Sequence, residues 1–598
     1  MALSHTIERV GRVAWKNIGF VCLAAVLIYC VVHAFDPPRL NWGDSASDYN
    51  AMTAGRNFEK YGFLKLRLTP FVLDPAVMTD ADKAMIYTHY PQLPDLMNGV
   101  LRTVFGMTDL VQFRFVALAF SFCALWFVYA LLGMYWSRQT AQCALALWVI
   151  NPLWIQHADY LHHLPYAAFF GFGALYFLGR YLNDDKRRVF LVGAGVFTWF
   201  TFLASYDYWF FLPLLIAAMT IGHHRGVPWA AVRVLTVLAG CAVLAMVCKW
   251  ATNAWVLGGV HALLQDLRFQ ATERATNKAV KVAYHDGIWP TLTGRVERCF
   301  TILLFPITLF WAVRPLLKRR WPNAIDAISR PVANPLLLLA AALPFLVIFS
   351  ELWVGQYYPT VLMIPFYAVA SAVLVGLLIE TNSRRSIAVG ATLFGALALN
   401  SVAENVMFRK AFFDRDAIRT LKAQLDSVAR PGQQILTDHV FDAAYRYYFN
   451  RNTVALILNP PYRYETALAY YSDPKRGRVA PPSGAIFVQH KHLADEMYDK
   501  GYYYLLGRAN LWVPWGNPER YRAELDTFIT RRDSGLVAEV AKRGEKIYDT
   551  DFYAIWRLRP SVPLVGAAPS SGGALASLAS KNETHLAEVE KQRKRSAP

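Results

Sequence analysis

Long apolar runs separated by short polar breaks fill the first two thirds of the chain, and their lengths decide what they predict. A helix that crosses a bilayer needs about 20 mostly apolar residues. About eleven runs meet that need, at 17–35, 111–135, 140–157, 164–181, 188–205, 207–222, 230–252, 299–316, 335–352, 358–380 and 386–402. Beyond residue 403 the pattern shortens. Gln434-Ile-Leu-Thr-Asp, Thr453-Val-Ala-Leu-Ile-Leu, Ala485-Ile-Phe-Val and Tyr502-Tyr-Tyr-Leu-Leu read as buried strands, with helical stretches at 442–449 and 493–500 between them. The expected architecture is an α-helical polytopic membrane domain over 1–403 and a small α/β domain over 404–560. The tail at 561–598 is rich in Ala, Ser and Gly and then charged, a composition that cannot bury a core and predicts disorder.

The polar breaks orient this map. Arg138, Lys186-Arg187-Arg188, His223-His224-Arg225, Lys318-Arg319-Arg320 and Arg384-Arg385 all fall in alternate short loops. Basic residues in short loops stay on the cytoplasmic side, so the N-terminus is expected inside and the α/β domain outside. In a bacterium that is the inner membrane, with the domain in the periplasm. Arg9, Arg12 and Lys16 precede the first run, and His33-Ala-Phe-Asp-Pro-Pro ends it without a small-residue cleavage site, which reads as a retained anchor. Two further segments then lie outside: the loop at 36–109, and the stretch at 253–298, whose charge-alternating part at 265–281 reads as an amphipathic surface helix. No internal repeat is visible along the chain.

Composition agrees with this reading and removes other classes. Of 598 residues 55% are apolar and 17% charged, with a mean hydropathy of +0.24; soluble domains carry about 25% charged residues. A water-soluble globular or fibrous protein is excluded. Lys and Arg outnumber Asp and Glu by 61 to 43, a net +18, which would suit nucleic acid. The basic clusters sit between apolar runs, however, where they meet anionic lipid head groups, so membrane lipid is the expected partner and nucleic acid is not. The seven cysteines all lie in or beside apolar runs, so neither a disulfide framework nor a thiolate metal site is expected.

Candidate chemistry sits in the first outer loop, which opens Asn41-Trp-Gly-Asp-Ser-Ala-Ser-Asp-Tyr-Asn. Asp44 lies near the membrane surface, where a carboxylate could act as a base on a lipid-linked substrate. It, Ser45 or Ser47 could equally cap a helix over about 46–61. The outer loop at His157-Ala-Asp-Tyr-Leu-His-His-Leu-Pro-Tyr places His162 and His163 three and four residues after Asp159, on one face if the segment is helical. Such a cluster could contact a phosphate, hold a divalent cation, or form a satisfied structural network.

The order of these segments resembles the GT-C glycosyltransferases, above all the protein mannosyltransferase and lipid A aminoarabinose transferase branch. One span is followed by Asp44-x-x-x-x-Tyr49, then Lys60-Tyr-Gly-Phe, Thr69-Pro70 and Thr88-His-Tyr-Pro-Gln-Leu-Pro-Asp-Leu. Ser45 stands where the family usually has Glu, and Asp48 precedes the Tyr. Asp159 matches the acid of the family's second acidic segment. Gly355-Gln-Tyr-Tyr-Pro opens the tenth run where relatives often carry Lys or Arg before Tyr, so Gln356 and Tyr357 stand at that place and the cation is replaced.

The resemblance implies a glycosyltransferase that takes a sugar from a polyprenyl-phosphate donor and passes it to a protein, lipid or polysaccharide acceptor at the outer membrane face. Asp44 and Asp159 become the catalytic candidates. Asp48, Tyr49, Lys65, Arg67, His89, His162, His163, Gln356 and Tyr357 become substrate-binding candidates, with Arg268, Arg274, Lys278 and Lys281 as further cations. A single displacement with an Asp base would invert the anomeric carbon. No cofactor is required by this scheme, although a divalent cation remains compatible with it. The rival readings are a transporter or flippase for a lipid-linked substrate, and an O-antigen ligase or polymerase; the large first loop and absent repeat weigh against the first.

Overall fold

The computed structural model describes residues 17–36, 44–78, 86–88, 90–183, 187–224, 228–275, 300–301, 303–320, 334–348, 358–380, 383–407, 415–430, 433, 435–437, 442–451, 453–455, 485–491 and 537–558. The strand expected at 502–506, the helix at 493–500 and the tail at 561–598 lie outside these residues.

The chain opens with α1 (Ile18–Ala34), followed in the first loop by α2 (Asp44–Tyr61) and α3 (Leu93–Phe105). The bundle continues through α4 (Leu110–Tyr135), α5 (Arg138–Val149), α6 (Pro152–His157), α7 (His163–Asn183), α8 (Arg188–Ala204) and α9 (Asp207–His223). It is completed by α10 (Pro228–Leu257), α11 (Val260–Ala275), α12 (Leu304–Arg320), α13 (Leu336–Ile348), α14 (Ile364–Glu380) and α15 (Arg384–Met407). Every apolar run thus holds helix. Four helical segments, at Leu110–Tyr135, Pro228–Leu257, Thr360–Ile379 and Arg384–Ala403, are long and apolar enough to cross a membrane by length and composition. Large apolar side chains such as Ile28, Trp126, Val192, Leu309 and Leu399 face outward from the bundle. In water that surface would be strongly unfavourable, and in lipid it is matched. The chain is an integral membrane protein.

Two departures from the apolar pattern have local causes. The run at 140–157 is not one helix: Asn151 caps α6 by accepting from the Leu153 N–H, and Pro152 occupies its first turn, so α5 stops just before them. The helix of the seventh apolar run extends to Leu257, five residues past its expected end at 252, and stops where Gly258 and Gly259 adopt φ of 92° and 142°. Only glycine takes such angles freely, and the pair turns the chain into α11.

The start of the first loop is fixed by two buried polar contacts. At one end of α1, Gln142 Oε1 accepts from the Gly19 N–H at 2.9 Å, and a Cβ on Gly19 would lie 2.6 Å from the Gln142 carbonyl. At the other end, the fully buried Arg114 donates to the carbonyls of Ala34 at 3.0 Å and Asp36 at 2.7 Å. The first is a carbonyl the helix leaves unpaired and the second lies two residues past its end, so Arg114 caps the C-terminus of α1 and fixes the chain leaving it.

The C-terminal part folds around α16 (Arg415–Val428), β1 (Ile435–Thr437), α17 (Asp442–Phe449), β2 (Thr453–Ala455), β3 (Ile486–His490), α18 (Ala538–Arg543), β4 (Gly544–Asp549) and β5 (Tyr553–Leu558). The sheet order is β2-β1-β3-β5-β4, parallel across β2, β1 and β3 and antiparallel across β3, β5 and β4. Leu421, Leu425, Ile435, Ile486, Val488 and Ile555 form the core on the side of α16. The domain rests on the first loop through α17, which packs against α2.

Candidate functional site

At one end of the bundle three segments meet: the first loop, the turn at 158–162, and the ends of α9 and α10. The helix α2 begins at Asp44, whose side chain lies outside the described residues. One turn later Asp48 is 4% exposed, and its Oδ1 accepts from the Leu161 N–H at 2.8 Å. From the other side Asn98 on α3 donates Nδ2 to the Leu161 carbonyl at 3.1 Å. The peptide around Leu161 is therefore gripped by both first-loop helices. The two acidic segments, Asp44 to Tyr49 and His157 to His163, are joined by this grip.

The grip sets the histidines that follow. Residues 158–162 form a turn and α7 starts at His163, so Asp159, His162 and His163 do not share a helical face. Asp159 is buried at the start of the turn. The His162 Nε2 faces Asp95 Oδ2 of α3 at 3.9 Å, the two Nδ1 atoms of His162 and His163 are 2.8 Å apart, and His163 Nε2 faces Asp207 Oδ2 at 3.4 Å. Tyr90 stacks on His163 with ring centroids 5.1 Å apart and meets His162 edge-on at 5.5 Å. Burial, with His163 beside it, holds His162 well below the ordinary histidine pKa, so its ring is neutral. Burial also pushes the Asp95 carboxyl up to about 7, against the opposing effect of Lys249.

Lys249, Asp95 and Asp207 were not singled out by sequence reasoning. Lys249 is fully buried in α10 and donates to the carbonyls of Thr88 at 3.0 Å and Tyr90 at 2.5 Å. Asn253 adds a bond to the Thr88 carbonyl at 3.1 Å, and Gln92 donates to Asn253 at 2.8 Å. The signal was present: a lone cation inside an apolar run is expensive in lipid unless paired. Asp95 was hidden in the Leu-Pro-Asp-Leu segment, and Asp207 at the seam of two runs.

The remaining candidates scatter around this centre. Tyr49 is buried against Tyr447 and Tyr448 of the C-terminal domain, at 5.9 and 5.5 Å between ring centroids. Lys65 is exposed, with its ammonium 5.5 Å from the Tyr61 ring. Arg67 has a φ of 54° and donates to the Trp255 carbonyl. Arg268 is exposed on α11. His89, Gln356, Tyr357, Lys278 and Lys281, and the side chain of Arg274, lie outside the described residues.

Beneath the turn lies a small apolar pocket lined by Trp148, Trp154, Phe172, Tyr208, Phe211 and Pro365. A second apolar pocket shares Trp148, Phe172 and Pro365 and reaches Tyr135 and Trp136 at the far end of α4.

A helical bundle, a helix-bearing first loop seated over its end, and a C-terminal α/β part resting on that loop make up the described fold. No family model matches the sequence, and no curated protein is similar to it in sequence. Among solved structures it is similar to the oligosaccharyltransferase of Archaeoglobus fulgidus in complex with zinc and sulfate. That match has 15% identity and a TM-score of 0.50, and covers 80% of this chain and 69% of the other. The apo form of the same enzyme gives 13% identity and a TM-score of 0.50 over 83% and 72%. ArnT from Cupriavidus metallidurans in the apo state gives 13% identity and a TM-score of 0.45 over 90% and 97%. At these identities the likeness is one of fold. Among the described residues no group of three or more His, Cys, Asp or Glu is placed to hold a metal ion.

Proposed function

We propose that the chain is a glycosyltransferase that moves a hexosyl or pentosyl group from a polyprenyl-phosphate donor to a protein, lipid or polysaccharide acceptor on the outer face of the membrane. The observation that carries the reading is the bond from the Leu161 N–H to Asp48, which brings the first acidic loop onto the second beneath a GT-C type of fold. In this reading the loop end of the bundle faces the periplasm of a bacterial inner membrane, about eleven spans cross it, and the C-terminal domain presents the acceptor.

The Asp44 carboxylate takes the proton of the acceptor hydroxyl as that oxygen attacks the anomeric carbon. The bond from this carbon to the phosphate oxygen breaks, and polyprenyl phosphate leaves with the electron pair. One displacement inverts the centre. A positioned base contributes about 10²–10⁴-fold. The growing phosphate charge needs cations or donors held in place; with His162 neutral, Lys65, Arg67 and Arg268 are the better candidates. In this reading the donor's isoprenoid tail lies against the apolar pockets beneath the turn, where each CH₂ taken out of water contributes about 0.8 kcal/mol.

The test is incubation of the purified chain with a radiolabelled polyprenyl-phosphate sugar. Release of labelled sugar, to acceptor or to water, together with free polyprenyl phosphate supports the reading. Passage of intact donor across a vesicle membrane without cleavage would mark a flippase instead.

A further inference from the structure

We infer that Asp95, His162, His163 and Asp207 form one buried relay that shares a single carboxyl proton, and that this relay tunes the first-loop site; the second half of the statement rests on the function proposed above. The geometry begins at the centre. The Nδ1 atoms of His162 and His163 are 2.8 Å apart. Two N–H groups cannot face each other at that distance, so at most one of these nitrogens carries hydrogen, and the two rings cannot both be imidazolium. A pair of independent Asp–His ion pairs is thereby ruled out.

The proton pattern then follows along the row. If His162 donates through Nδ1, its Nε2 is a bare acceptor, and the group facing it, Asp95 Oδ2 at 3.9 Å, must bring the hydrogen. Neither Asp95 Oδ2 nor His162 Nε2 has a hydrogen bond to any other group, and both side chains are almost fully buried. Leaving two such atoms unpaired is unfavourable, and a protonated Asp95 resolves both. His163 accepts at Nδ1, carries its hydrogen on Nε2, and turns it toward Asp207 Oδ2 at 3.4 Å. Both outer contacts are longer than hydrogen bonds; contacts of this kind tighten when a site is filled.

The row can also run in reverse. Asp95 gives its proton to His162 Nε2, His162 Nδ1–H passes to His163 Nδ1, and His163 Nε2–H passes to Asp207. Asp95 ends ionised and Asp207 protonated, with no change in total charge. The two ends belong to different parts of the molecule, α3 of the first loop and α9 of the bundle. Shifting the proton therefore moves negative charge from one to the other. The peptide at the middle of the path is the one held by Asp48, one turn from Asp44. Among the described residues, the other ionisable groups around the row are Lys249, whose charge acts on Asp95, together with Tyr87, Tyr90, Tyr160, Tyr166 and Tyr208. Asp48 acts on Tyr166 from the loop side.

The experiment has one arm that needs no activity. The full chain, labelled with ¹⁵N at histidine, is examined by solid-state NMR at neutral pH, with His162→Gln and His163→Gln used for assignment. The relay predicts two neutral rings of opposite tautomer; two rings of the same tautomer, or two cationic rings, would overturn it. The second arm compares donor cleavage by wild type, Asp95→Asn and Asp207→Asn. Asparagine keeps the shape and one hydrogen-bond direction but cannot pass a proton. Both variants are expected to lose about 10-fold or more in kcat with donor KM unchanged, and to share a flattened pH profile. Wild-type kcat and pH profile in both variants would overturn the coupling to the site. If wild type cleaves no donor, the proposed function fails while the NMR arm still decides the relay.

Discussion

Arg446 of the C-terminal domain donates Nη2 to Asn50 Oδ1 of the first-loop helix at 3.0 Å, across 396 residues of sequence. Beside it Arg56 returns a bond to the Tyr447 carbonyl at 3.0 Å. The domain that follows the helical bundle therefore grips the helix that follows α1. Arg446→Ala should cost about 1–3 kcal/mol, the usual loss when a buried partner is removed. It should also lower donor turnover, because α2 carries the acidic motif. Thermal unfolding of the purified chain and single-turnover cleavage measure the two effects.

Asp44 and Asp48 should separate cleanly. Asp44→Asn retains capping ability and removes only the base, so transfer should be abolished with expression unchanged. Asp48→Asn can still accept from the Leu161 N–H and should keep much of the activity. Asp48→Ala leaves that N–H without its acceptor and should cost about 1–3 kcal/mol. Near-wild-type turnover in Asp44→Asn would move the base elsewhere, to Asp48 first and Asp159 second.

Lys249→Met keeps the length of the side chain but leaves the Thr88 and Tyr90 carbonyls without their donor. The segment carrying His89 and Tyr90 should loosen. Donor affinity is expected to fall by more than the melting temperature would suggest, and limited proteolysis near residue 88 should speed up.

The pH dependence of the first loop has a defined sign. Burial alone would raise the Asp74 carboxyl, but bonds from Lys60 at 2.7 Å, from Tyr61 at 2.5 Å and from the Ala76 N–H hold it at about 2. A depressed carboxyl stabilises fully above its unfolded value of about 4 and loses that contribution as pH falls toward 2. Because Lys60 is half exposed, the contribution is about 1–2 kcal/mol. The stability gap between wild type and Asp74→Asn should stay constant from neutral pH to about 5 and narrow below about 4.

Membrane orientation is open to a reporter fused after Leu558. An enzyme that works only outside the cytoplasm should be active there. Activity of a cytoplasm-only reporter at the same junction would reverse the map and put the first loop on the wrong side for a donor exposed outside.

The sequence was most legible where one physical force acts alone. Apolar runs had to be helices in lipid, and each contains helix. The strands at Ile435–Thr437 and Ile486–His490 were readable because both faces are buried. Two strands were missed: Gly544–Asp549, whose residues are half-exposed or exposed and carry no unbroken apolar run, and Tyr553–Leu558, which is buried but has its apolar run broken by Arg557. In the site, the two acidic segments could be named but not their partners. Asp95 reaches His162 through a fold-back of the first loop, and Asp207 reaches His163 across a helix junction. Helical spacing predicted Asp159 as the neighbour of both rings; the turn at 158–162 broke that spacing.

The strand order β2-β1-β3-β5-β4 also sets a timetable for biosynthesis. β3 is covered on one edge by β1, made before it, and on the other by β5, made well after it. While the ribosome works through the intervening residues, β3 offers an open edge bearing Phe487 and Val488. The first loop, among the earliest segments to be made, meanwhile waits for α17 to arrive and pack against it. Assembly of this end of the bundle is therefore a late event, and during that interval the nascent chain is most exposed to proteases and holding factors.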